Sequence, residues 1–522
     1  MPHALGPQTA VTVPLREVAD ALGVAVRYQR TGAAPVPGPV LLSGVSVSTD
    51  DVRPGVLFAA LPGRRAHGAA HAGRAARAGA AAVLTDTAGA ADAAASGLPV
   101  LVVDDPRGAL GHVAALVYGT AAPEATLLAV TGTNGKTTTV HLLDAVMRSL
   151  GWRTASTSTV ERHVAGVTVP SVLTTPEAPE LHAFLARAAE EGVRGVALEV
   201  SAQALSRHRV DGVVVDVAGF TNLSHDHLDD YADLDEYLAA KASLFTPERS
   251  RAGVVSLDSP AGRRIAAGAG VPVTTITTDP STRADWHVDV VGQEVDGTRS
   301  VLTAPDGTSM ALVVPLLGVH AAADAGLAVA MLATAGVPLV DLAAATAGGV
   351  DVVVPGRMAD ASGVTGPRVW VDFAHTPDAF AKSLTAVRAV TSGRVAIVLG
   401  ADGDRDPSKR RAMGMVAATG ADVVVVADHH PRFEDPGPIR AAILAGARAV
   451  GSGALVLEEP EPARAIRRAL AAVGDDGVVY WAGPGLTPYR DVAGVHVPYS
   501  SFEDARTALA EAGHAPREAA RA

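Results

Sequence analysis

Short apolar segments alternate with amphipathic segments along most of the chain. An apolar run at 125–130 precedes a glycine-rich turn, and apolar positions then recur at helical spacing from Val140 to Leu150. Because strands that alternate with helices pair into mostly parallel sheets covered by helices, the pattern predicts an α/β fold. In such sheets, ligands bind beyond the carboxyl ends of the strands. Further strand-length apolar runs lie at 56–61, 81–84, 100–103, 195–200, 213–217, 368–371, 395–399, 422–426 and 478–481.

The length of 522 residues is too great for one hydrophobic core, and two breaks in the pattern indicate three domains. An Ala-Ala-Pro segment at 121–123 is typical of a linker, and a Val-Pro-Gly-Arg segment at 354–357 opens the last block. We therefore predict domains at 1–122, 123–354 and 355–522. The central domain should contain a mostly parallel sheet of the phosphate-binding-loop type, and the C-terminal domain a Rossmann-like sheet.

Composition narrows the classes of function. Hydrophobic residues make up 48 % of the chain and charged residues 19 %, as in ordinary globular α/β proteins. The net charge of −12 argues against nucleic acid or an anionic membrane as a partner. The absence of cysteine excludes disulfides, thiolate catalysis and thiolate metal sites. The N-terminus carries no basic region followed by an apolar one, and no apolar run reaches membrane-spanning length, so we expect a cytoplasmic protein.

The glycine-rich turn, Thr-Gly-Thr-Asn-Gly-Lys-Thr-Thr-Thr at 131–139, has the layout of a phosphate-binding loop. Its glycines let backbone N–H groups close around phosphate oxygens, and the N-terminus of the following helix adds positive potential. Lys136 would contact the terminal phosphates, and the Thr137 hydroxyl would hold Mg²⁺. The spacing is shorter than in the common loop, and a bare Gly-Lys-Thr can be a plain turn, but the flanking strand and helix favour nucleotide binding. The predicted nucleotide-binding residues of the loop are Gly132, Thr133, Asn134, Gly135, Lys136, Thr137 and Thr138.

Three further groups of residues could carry chemistry or could be ordinary surface. Glu199 ends a predicted strand and could either face the loop and bind Mg²⁺ or be a solvated strand end. Two histidines and two aspartates crowd into 225–229, which is either a metal site or a polar turn. Lys241 lies in an amphipathic helical pattern, where a single lysine is usually solvated.

Together, these motifs resemble the Mur ligases, the ATP-dependent amide ligases of cell-wall precursor synthesis. The resemblance covers essentially the whole chain, is densest from 131 to 245, and is greatest for the members that add the third residue to UDP-N-acetylmuramoyl-L-alanyl-D-glutamate. The family's loop is matched letter for letter, and the family's metal-binding Glu and His fall on Glu199 and His227. Its CO₂-modified lysine falls on Lys241, fourteen positions after His227.

The resemblance implies ATP and Mg²⁺ as cofactors, with a CO₂-derived carbamate on Lys241. Transfer of the ATP γ-phosphoryl group to a carboxylate would give an acyl phosphate, which an amine then attacks, and the transfer needs positive charge and alignment. A carbamate converts Lys241 into an oxygen donor suited to a hard cation. The implied catalytic residues are Lys136, Glu199, His227 and Lys241, and the implied metal ligands are Thr137, Glu199, His227 and Lys241 as its carbamate.

The rest of the family pattern assigns substrates to the three predicted domains. By resemblance, 1–122 binds the UDP substrate, 123–354 binds ATP and 355–522 binds the amino acid. The enzyme would be a monomer that acts on UDP-N-acetylmuramoyl-dipeptide and an amino acid. Further implied nucleotide contacts are Asp324, Arg357 and Asp372. The implied substrate contacts are Ser48, Thr174, Thr175, Ser201, Arg209, His430 and Arg432.

Four motifs depart from the family pattern. Ser-Thr-Asp at 48–50 replaces Asp-Ser-Arg near the uridine, and Ala321 and Asp324 replace a pair of asparagines of which the second lies near the adenine. His-His-Pro-Arg at 429–432 replaces the amino-acid selection motif Asp-Asn-Pro-Arg, and Gly-Pro-Gly-Leu-Thr at 483–487 replaces Gly-Lys-Gly-His-Glu. A paralogue that joins another carboxylate and amine in specialised metabolism is therefore an alternative, and a non-catalytic ATP-binding regulator is a second.

The changed selection motif bears on the third residue. Arg432 can still pair with a carboxylate, but His430 and Thr487 replace the Asn and Glu that hold the far end of diaminopimelate in relatives. A pair of histidines would also repel a cationic side chain. We therefore expect diaminopimelate and lysine to be poor substrates. A small neutral or acidic amino acid, or a non-standard amine, should be preferred, unless Glu434 or Asp435 turns inward to supply negative charge.

Overall fold

The structure is a computed structural model that describes residues 5–9, 11–28, 38–63, 66–226, 229–515 and 517. Its strands form a parallel sheet in the first quarter of the chain, a long mixed sheet in the middle and a mostly parallel sheet near the end. Helices between the strands cover these sheets, so the predicted α/β fold is confirmed. Among the described residues, no helix is both long and apolar enough to cross a membrane.

The N-terminal unit carries a parallel sheet whose strands are buried along their whole length, as expected for a sheet covered by helices. Its strands are β1 (Val13–Pro14), β2 (Leu41–Leu42), β3 (Gly44–Ser46), β4 (Val56–Ala59), β5 (Ala82–Thr85) and β6 (Val100–Val102). The sheet order is β3-β4-β5-β6, and β1 pairs with β2. Its helices are α1 (Leu15–Leu22), α2 (Ala72–Arg77), α3 (Ala90–Ala94) and α4 (Pro106–Tyr118), with a 3₁₀ turn at Gly68–His71.

The central unit contains the longest sheet. Its strands are β7 (Thr126–Thr131), β8 (Thr154–Thr157), β9 (Glu161–Val164), β10 (Val167–Pro170), β11 (Gly195–Glu199), β12 (Val215–Phe220), β13 (Ser250–Ser256), β14 (Val273–Thr277), β15 (Trp286–Glu294), β16 (Gly297–Thr303) and β17 (Ser309–Val314). The order is β10-β9-β8-β11-β7-β12-β13-β14-β15-β16-β17. Its helices are α5 (Lys136–Ser149), α6 (Ala178–Glu190), α7 (Ala202–Ser206), α8 (Leu234–Ala242), α9 (Pro260–Gly268), α10 (Val319–Thr334) and α11 (Leu339–Thr346), with a 3₁₀ turn at Ser243–Phe245.

The register of the central sheet brings three loops together. Strand β7 pairs in parallel with both β11 and β12, so that Glu199 lies opposite Val130 and Phe220 lies opposite Thr131. The carboxyl ends of parallel neighbours open on the same edge of a sheet. The glycine-rich loop after β7, Glu199 at the end of β11 and the segment after β12 therefore meet at one edge.

The predicted alternation of strands and helices fails at both sides of the central sheet. Strands β8 to β10 are antiparallel neighbours, and so are β15 to β17. Only two residues connect β9 to β10 and β15 to β16. A connection of that length has no room for the crossover that a parallel pair requires, so these strands fold back as hairpins.

The C-terminal unit contains a sheet of order β18-β19-β23-β20-β21-β22, in which β18 alone is antiparallel to its neighbour. The predicted boundaries after 122 and 354 fall in segments between the sheets, and the division into three domains stays a prediction. The strands are β18 (Ala359–Asp360), β19 (Arg368–Asp372), β20 (Val395–Leu399), β21 (Val423–Val426), β22 (Leu455–Glu458), β23 (Val478–Ala482), β24 (Tyr489–Val492) and β25 (Val495–Pro498), the last two forming a separate hairpin. The helices are α12 (Pro377–Ala389), α13 (Lys409–Gly420), α14 (Pro436–Ala449), α15 (Pro462–Val473) and α16 (Ser501–Glu511).

Candidate nucleotide and substrate site

The glycine-rich loop joins β7 to α5 and is shaped by two glycines. A Cβ atom at Gly132 would lie 1.9 Å from the Thr221 hydroxyl oxygen, and one at Gly135 would lie 2.5 Å from an oxygen of Asp324. Their φ angles of 152° and 89° also favour glycine. Helix α5 begins directly after them, with residues 136–138 in its first turn. The predicted strand, turn and helix are therefore all present.

Two lysine amines point at carbonyl groups of this loop. Lys136 Nζ donates to Thr133 O at 2.9 Å, and Lys241 Nζ donates to Gly132 O at 2.7 Å. Lys241 is only 1 % exposed. Burial, and then the charge of Lys136, lower the pKa of Lys241 well below its ordinary value, although Asp226 opposes the shift. The interpretation of Lys241 as a solvated surface lysine is therefore wrong.

Glu199 is buried at the loop and is 2 % exposed, so it is not a solvated strand end. Its Oε2 accepts from the Thr137 hydroxyl at 2.9 Å and from the Thr159 N–H at 2.8 Å. Its Oε1 lies 4.0 Å from Lys136 Nζ. Burial lowers the pKa of Lys136, and the charge of Glu199 opposes that effect. A carboxylate, a hydroxyl and an ammonium thus meet where a phosphate would enter.

The polar segment after β12 faces the C-terminal unit. His225 Nε2 lies 3.0 Å from Asp406 Oδ2, and Asp226 Oδ1 accepts from Lys409 Nζ at 3.0 Å. His227, a predicted catalytic and metal-binding residue, lies outside the described residues. The described residues of this segment therefore form contacts between the central and C-terminal units, which neither interpretation of the sequence anticipated.

The small number of lysines points to the site in a way that the motifs did not. The chain contains 43 lysine and arginine residues, but only four of them are lysines. Lys382 Nζ donates to Asp378 Oδ2 at 2.9 Å, and the same oxygen accepts from Asn134 Nδ2 of the loop at 3.2 Å. The other basic residues of the chain are arginines. Lysines, which carry a compact point charge, therefore indicate a functional site where they come together in the fold. The four lysines are Lys136, Lys241, Lys382 and Lys409.

Two of the three remaining predicted nucleotide contacts, Arg357 and Asp324, lie at the loop. Arg357 Nη2, from the C-terminal unit, donates to the Thr137 hydroxyl at 3.2 Å. Asp324 is buried against the loop. Asp372 accepts from the next backbone N–H and from the Tyr480 hydroxyl, both at 2.8 Å, so both of its oxygens already serve the fold.

Four predicted substrate contacts gather beside Glu199. The Thr175 hydroxyl donates to Glu199 O at 2.9 Å and accepts from the Ser201 N–H at 3.0 Å. Arg209 Nη1 donates to Thr175 O at 3.4 Å, and Thr174 precedes Thr175 in the same segment. These side chains form one polar group at the carboxyl edge of the central sheet.

The other three predicted substrate contacts lie elsewhere. Ser48 follows β3 in the N-terminal unit, where its hydroxyl accepts from the Asp50 N–H at 3.2 Å in a local turn. His430 and Arg432 follow β21 at the carboxyl edge of the C-terminal sheet. Within the described part of the chain, none of the three hydrogen-bonds to the glycine-rich loop.

Neither acidic residue after the selection motif turns inward. Glu434 forms a bidentate ion pair with Arg410, at 2.6 and 2.7 Å, and Asp435 caps α14. The negative charge near Arg432 comes instead from Asp402, whose Oδ2 lies 3.0 Å from Arg432 Nη2. Nothing in the sequence around Asp402 marks it as part of this site.

Comparison with known proteins gives matches along most of the chain. The family description "Mur ligase family, catalytic domain" matches 42–118, "Mur ligase middle domain" matches 130–332, and "Mur ligase, glutamate ligase domain" matches 356–485. A UDP-N-acetylmuramyl-tripeptide synthetase of Leifsonia xyli subsp. xyli is 50 % identical over 98 % of this chain and 99 % of its own. A UDP-N-acetylmuramoyl-L-alanyl-D-glutamate–2,6-diaminopimelate ligase of Streptomyces coelicolor is 42 % identical over 97 % of this chain and 98 % of its own.

Solved structures show a similar fold. A UDP-N-acetylmuramoyl-L-alanyl-D-glutamate–2,6-diaminopimelate ligase superposes with a TM-score of 0.65 at 26 % identity, over 97 % of this chain and all of its own. MurF of Thermotoga maritima, solved with ADP, superposes with a TM-score of 0.63 at 18 % identity, over 90 % of this chain and 97 % of its own. The second match supports the fold alone.

Asp324 gives a pH-dependent prediction for nucleotide binding. Burial raises the pKa of Asp324 to about 8, although Lys382, the Thr139 hydroxyl and Lys136 oppose the shift. The carboxyl is therefore neutral below that pH and gains a negative charge beside the loop above it. We expect the KM for ATP to rise on the order of tenfold between about pH 7 and about pH 9, because a like charge near the phosphates weakens their binding. Asp324→Asn, which cannot ionise, should keep a flat KM over this range.

Thermal unfolding provides an independent measurement of the same titration. The raised pKa means that Asp324 stabilises the fold fully below its ordinary pKa of 3.8, and that this contribution is lost as the pH rises through about 8. The stability of the native protein relative to Asp324→Asn should fall across that window. The KM prediction also has a contrary outcome. If the KM for ATP rose with pH as much in Asp324→Asn as in the native protein, a group other than Asp324 would be responsible.

Proposed function

The chain belongs to the Mur ligase family, the ATP-dependent ligases of peptidoglycan precursor synthesis, and we propose that it adds an amino acid to UDP-N-acetylmuramoyl-L-alanyl-D-glutamate. The relatives named as a tripeptide synthetase and a diaminopimelate ligase support this substrate, because the chain aligns with both along almost its whole length. The observation that carries the proposal is the meeting of Lys136, Thr137, Glu199 and Lys241 at one edge of the central sheet.

The first proposed step is activation of the substrate carboxylate. A carboxylate oxygen attacks the γ-phosphorus of ATP, the bond from that phosphorus to the bridging oxygen breaks, and an acyl phosphate and ADP form. Lys136 would pair with the transferring phosphoryl group. Arg357, whose Nη2 lies 3.2 Å from the Thr137 hydroxyl, would add positive charge from the C-terminal unit. Fixed charges of this kind lower the barrier because negative charge is spread over the phosphoryl oxygens.

Mg²⁺ fits the donor atoms at the loop. Thr137 Oγ1 and Glu199 Oε2 lie 2.9 Å apart, and both are hard oxygen donors of the kind that Mg²⁺ prefers. We propose that these two residues, with His227 and the carbamate of Lys241, hold the metal. Bound there, Mg²⁺ would supply charge neutralisation for the phosphate oxygens.

Lys241 is suited to carbamate formation. Its lowered pKa favours the unprotonated amine, and an unprotonated amine can form an N–C bond to CO₂ with loss of one proton. The product is an anion. Its charge attracts the Lys136 ammonium within a buried loop, which supports the modification that the family resemblance implies.

The second proposed step is attack by the amine of the incoming amino acid on the acyl carbon. A C–N bond forms, the nitrogen loses a proton, and the C–O bond to phosphate breaks. Thr174, Thr175, Ser201 and Arg209 would position the UDP substrate beside Glu199. Ser48 would contact its uridine end, and His430 and Arg432 would contact the amino acid. The proposed ATP contacts are Gly132, Thr133, Asn134, Gly135, Lys136, Thr137, Thr138, Asp324, Arg357 and Asp372.

A paralogue that acts on another carboxylate and amine is the second candidate. The segments at 48–50 and 429–432 differ from the family pattern at the uridine and amino-acid ends, whereas the loop is kept. A non-catalytic regulator is disfavoured, because Lys136, Glu199 and Lys241 are all kept and lie together at the loop.

Hydroxylamine trapping separates these candidates. Hydroxylamine attacks any acyl phosphate and gives a stable hydroxamate without needing the amino-acid site. UDP-N-acetylmuramoyl-L-alanyl-D-glutamate, ATP and hydroxylamine should give the hydroxamate of that dipeptide by mass spectrometry. Hydroxamate formed only with a different carboxylic acid would favour the paralogue, and none with any acid would favour the regulator.

Lys136→Ala should abolish turnover without unfolding the protein. Removing a point charge at the transferring phosphoryl group should slow hydroxamate formation by at least about a hundredfold. Arg148→Ala is the matched control, since it removes a cation from the exposed face of the same helix. Near-normal rates in Lys136→Ala, with a native unfolding temperature, would contradict the assignment of the loop.

Lys241→Ala and Lys241→Arg should both be nearly inactive, because neither can form a carbamate. Acetate should partly restore Lys241→Ala, since it can return an oxygen anion to the cavity. Incubation with ¹³C-bicarbonate should give a carbamate resonance in the native protein that both variants lack. An active Lys241→Arg enzyme, or a native protein without that resonance, would count against the modification.

A further inference from the structure

A compact polar cluster lies at the carboxyl edge of the C-terminal sheet. Asp402 follows β20, and His429, His430 and Arg432 follow β21, the neighbouring parallel strand. We call these four residues the Asp402 cluster. Three of them belong to the segment that replaces the family's amino-acid selection motif, so the cluster bears on which amino acid the enzyme couples.

Asp402 pairs with two members of the cluster at once. Its Oδ1 lies 2.7 Å from His429 Nδ1, and its Oδ2 lies 3.0 Å from Arg432 Nη2. Burial opposes ionisation, but the hydrogen bond from His429 and the positive charge of Arg432 hold the pKa of Asp402 below its ordinary value. The carboxylate is therefore charged, and its charge offsets that of Arg432.

Arg432 is fixed in place by its backbone as well as by Asp402. Its φ angle of 52° lies in the left-handed region. Its N–H donates to Asp491 O at 3.0 Å, and its carbonyl accepts from the Ala493 N–H at 2.7 Å. A guanidinium held in this way already has a carboxylate partner. Because Asp402 is bonded to Nη2, a carboxylate on the incoming side chain would have to bind the guanidinium beside Asp402 and would be repelled by it.

Hydrogen bonds also fix the direction of each histidine. The Asp491 N–H donates to His430 Nδ1 at 2.9 Å, so a neutral His430 carries its proton on Nε2 and donates from there. Burial, and then His429, lower the pKa of His430 to about 4, which keeps the ring neutral at physiological pH. In a neutral His429, the Nδ1–H that bonds Asp402 leaves Nε2 as an acceptor.

Two buried atoms of the cluster have no hydrogen-bond partner among the described residues. They are His429 Nε2, an acceptor in the neutral ring, and Arg432 Nε, a donor. His429 and His430 line one narrow cleft together with Thr487 and Tyr489. Unpaired buried polar atoms cost free energy, which a ligand group that both donates and accepts would recover.

A metal ion is a poor occupant of the cluster. Ligand atoms of Asp402, His429 and His430 lie within 4.8 Å of one another, a spacing that a metal could bridge. However, both Asp402 oxygens are already bound, and His430 Nδ1 accepts a backbone N–H. A metal bound through Asp402 or through His430 Nδ1 would compete with the ion pair to Arg432 or with the bond from Asp491.

We propose that the Asp402 cluster selects an amino acid whose side chain is uncharged and ends in a hydroxyl or carboxamide group. Such a group donates to one partner and accepts from another, which matches the acceptor and the donors of the cluster. The charges of Asp402 and Arg432 cancel, so a charged side chain finds no counter-ion there. The inference rests on the proposed function, and it excludes the acidic amino acids that the sequence analysis still allowed.

Isosteric amino acids test the proposal. We would measure kcat/KM with the UDP-dipeptide for homoserine, 2,4-diaminobutyrate and norvaline, which differ only in their terminal group, and for glutamine against glutamate. Homoserine or glutamine should exceed each of its isosteres by at least about tenfold, because a site built for hydrogen bonds rejects an analogue that leaves them unpaired. Equal or better use of the charged or apolar isosteres would overturn the proposal.

Hydroxylamine trapping distinguishes this failure from a failure of the proposed function. Hydroxylamine has no side chain and reports only on activation of the dipeptide. If the hydroxamate forms but no uncharged polar amino acid is preferred, the inference is wrong and the function stands. If no hydroxamate forms, the proposed function itself is wrong and the inference falls with it.

Asp402→Asn tests the charge balance directly. The substitution leaves Arg432 without a counter-ion, so the ratio of kcat/KM for glutamate to that for glutamine should rise by at least about tenfold. The ratio is measured within one variant, so a loss of folded enzyme does not change it. Asp475→Asn removes an exposed carboxylate just before β23, at the opposite edge of the sheet, and should leave the ratio unchanged. An unchanged ratio in Asp402→Asn would overturn the proposal.

Discussion

The site depends on two lysine amines that share one buried loop. Lys136 and Lys241 donate to carbonyl groups of adjacent loop residues, and a carbonyl carries only a partial negative charge. Burial and the charge of Lys136 both disfavour a positive charge on Lys241 and lower its pKa. Glu199 lies 4.0 Å from Lys136 but is also bound by Thr137, so it offsets only part of the Lys136 charge. The loop therefore favours the binding of anions, and its glycines leave room for the phosphates of a nucleotide.

Contacts between the central and C-terminal units close over the same loop. Acyl phosphates react readily with water, so a ligase that forms one benefits from a site that excludes water. These contacts are polar rather than apolar, so water can replace each partner when the units separate. The closing pairs are Asn134–Asp378 at 3.2 Å, Thr137–Arg357 at 3.2 Å and Asp226–Lys409 at 3.0 Å.

Local patterns predicted the parts of the site that stand next to strand ends. The loop and Glu199 follow apolar runs, and they meet because β7 and β11 are parallel neighbours, which the alternation of strands and helices implied. Antiparallel hairpins at both sheet edges were missed, because a two-residue connection leaves little trace in composition. The bonds of Asp402 to His429 and Arg432 were missed for a different reason. These residues come together only because β20 pairs with β21 in one particular register. That register cannot be read from a single sequence.

The loop and the Asp402 cluster meet opposite electrostatic requirements. At the loop, the missing charge is negative, and Coulomb attraction acts over a long range, which suits a nucleotide that every turnover requires. At the Asp402 cluster, the charges of Asp402 and Arg432 already cancel, so discrimination must come from hydrogen bonds, whose strength falls steeply with distance and angle. An unpaired buried donor costs more than a missing apolar contact, so such a cluster distinguishes a hydroxyl from a methyl group better than size alone would. Electrostatic attraction at the loop thus recognises the nucleotide, which every turnover requires. Hydrogen bonds to neutral groups at the Asp402 cluster recognise the amino acid, which differs between ligases.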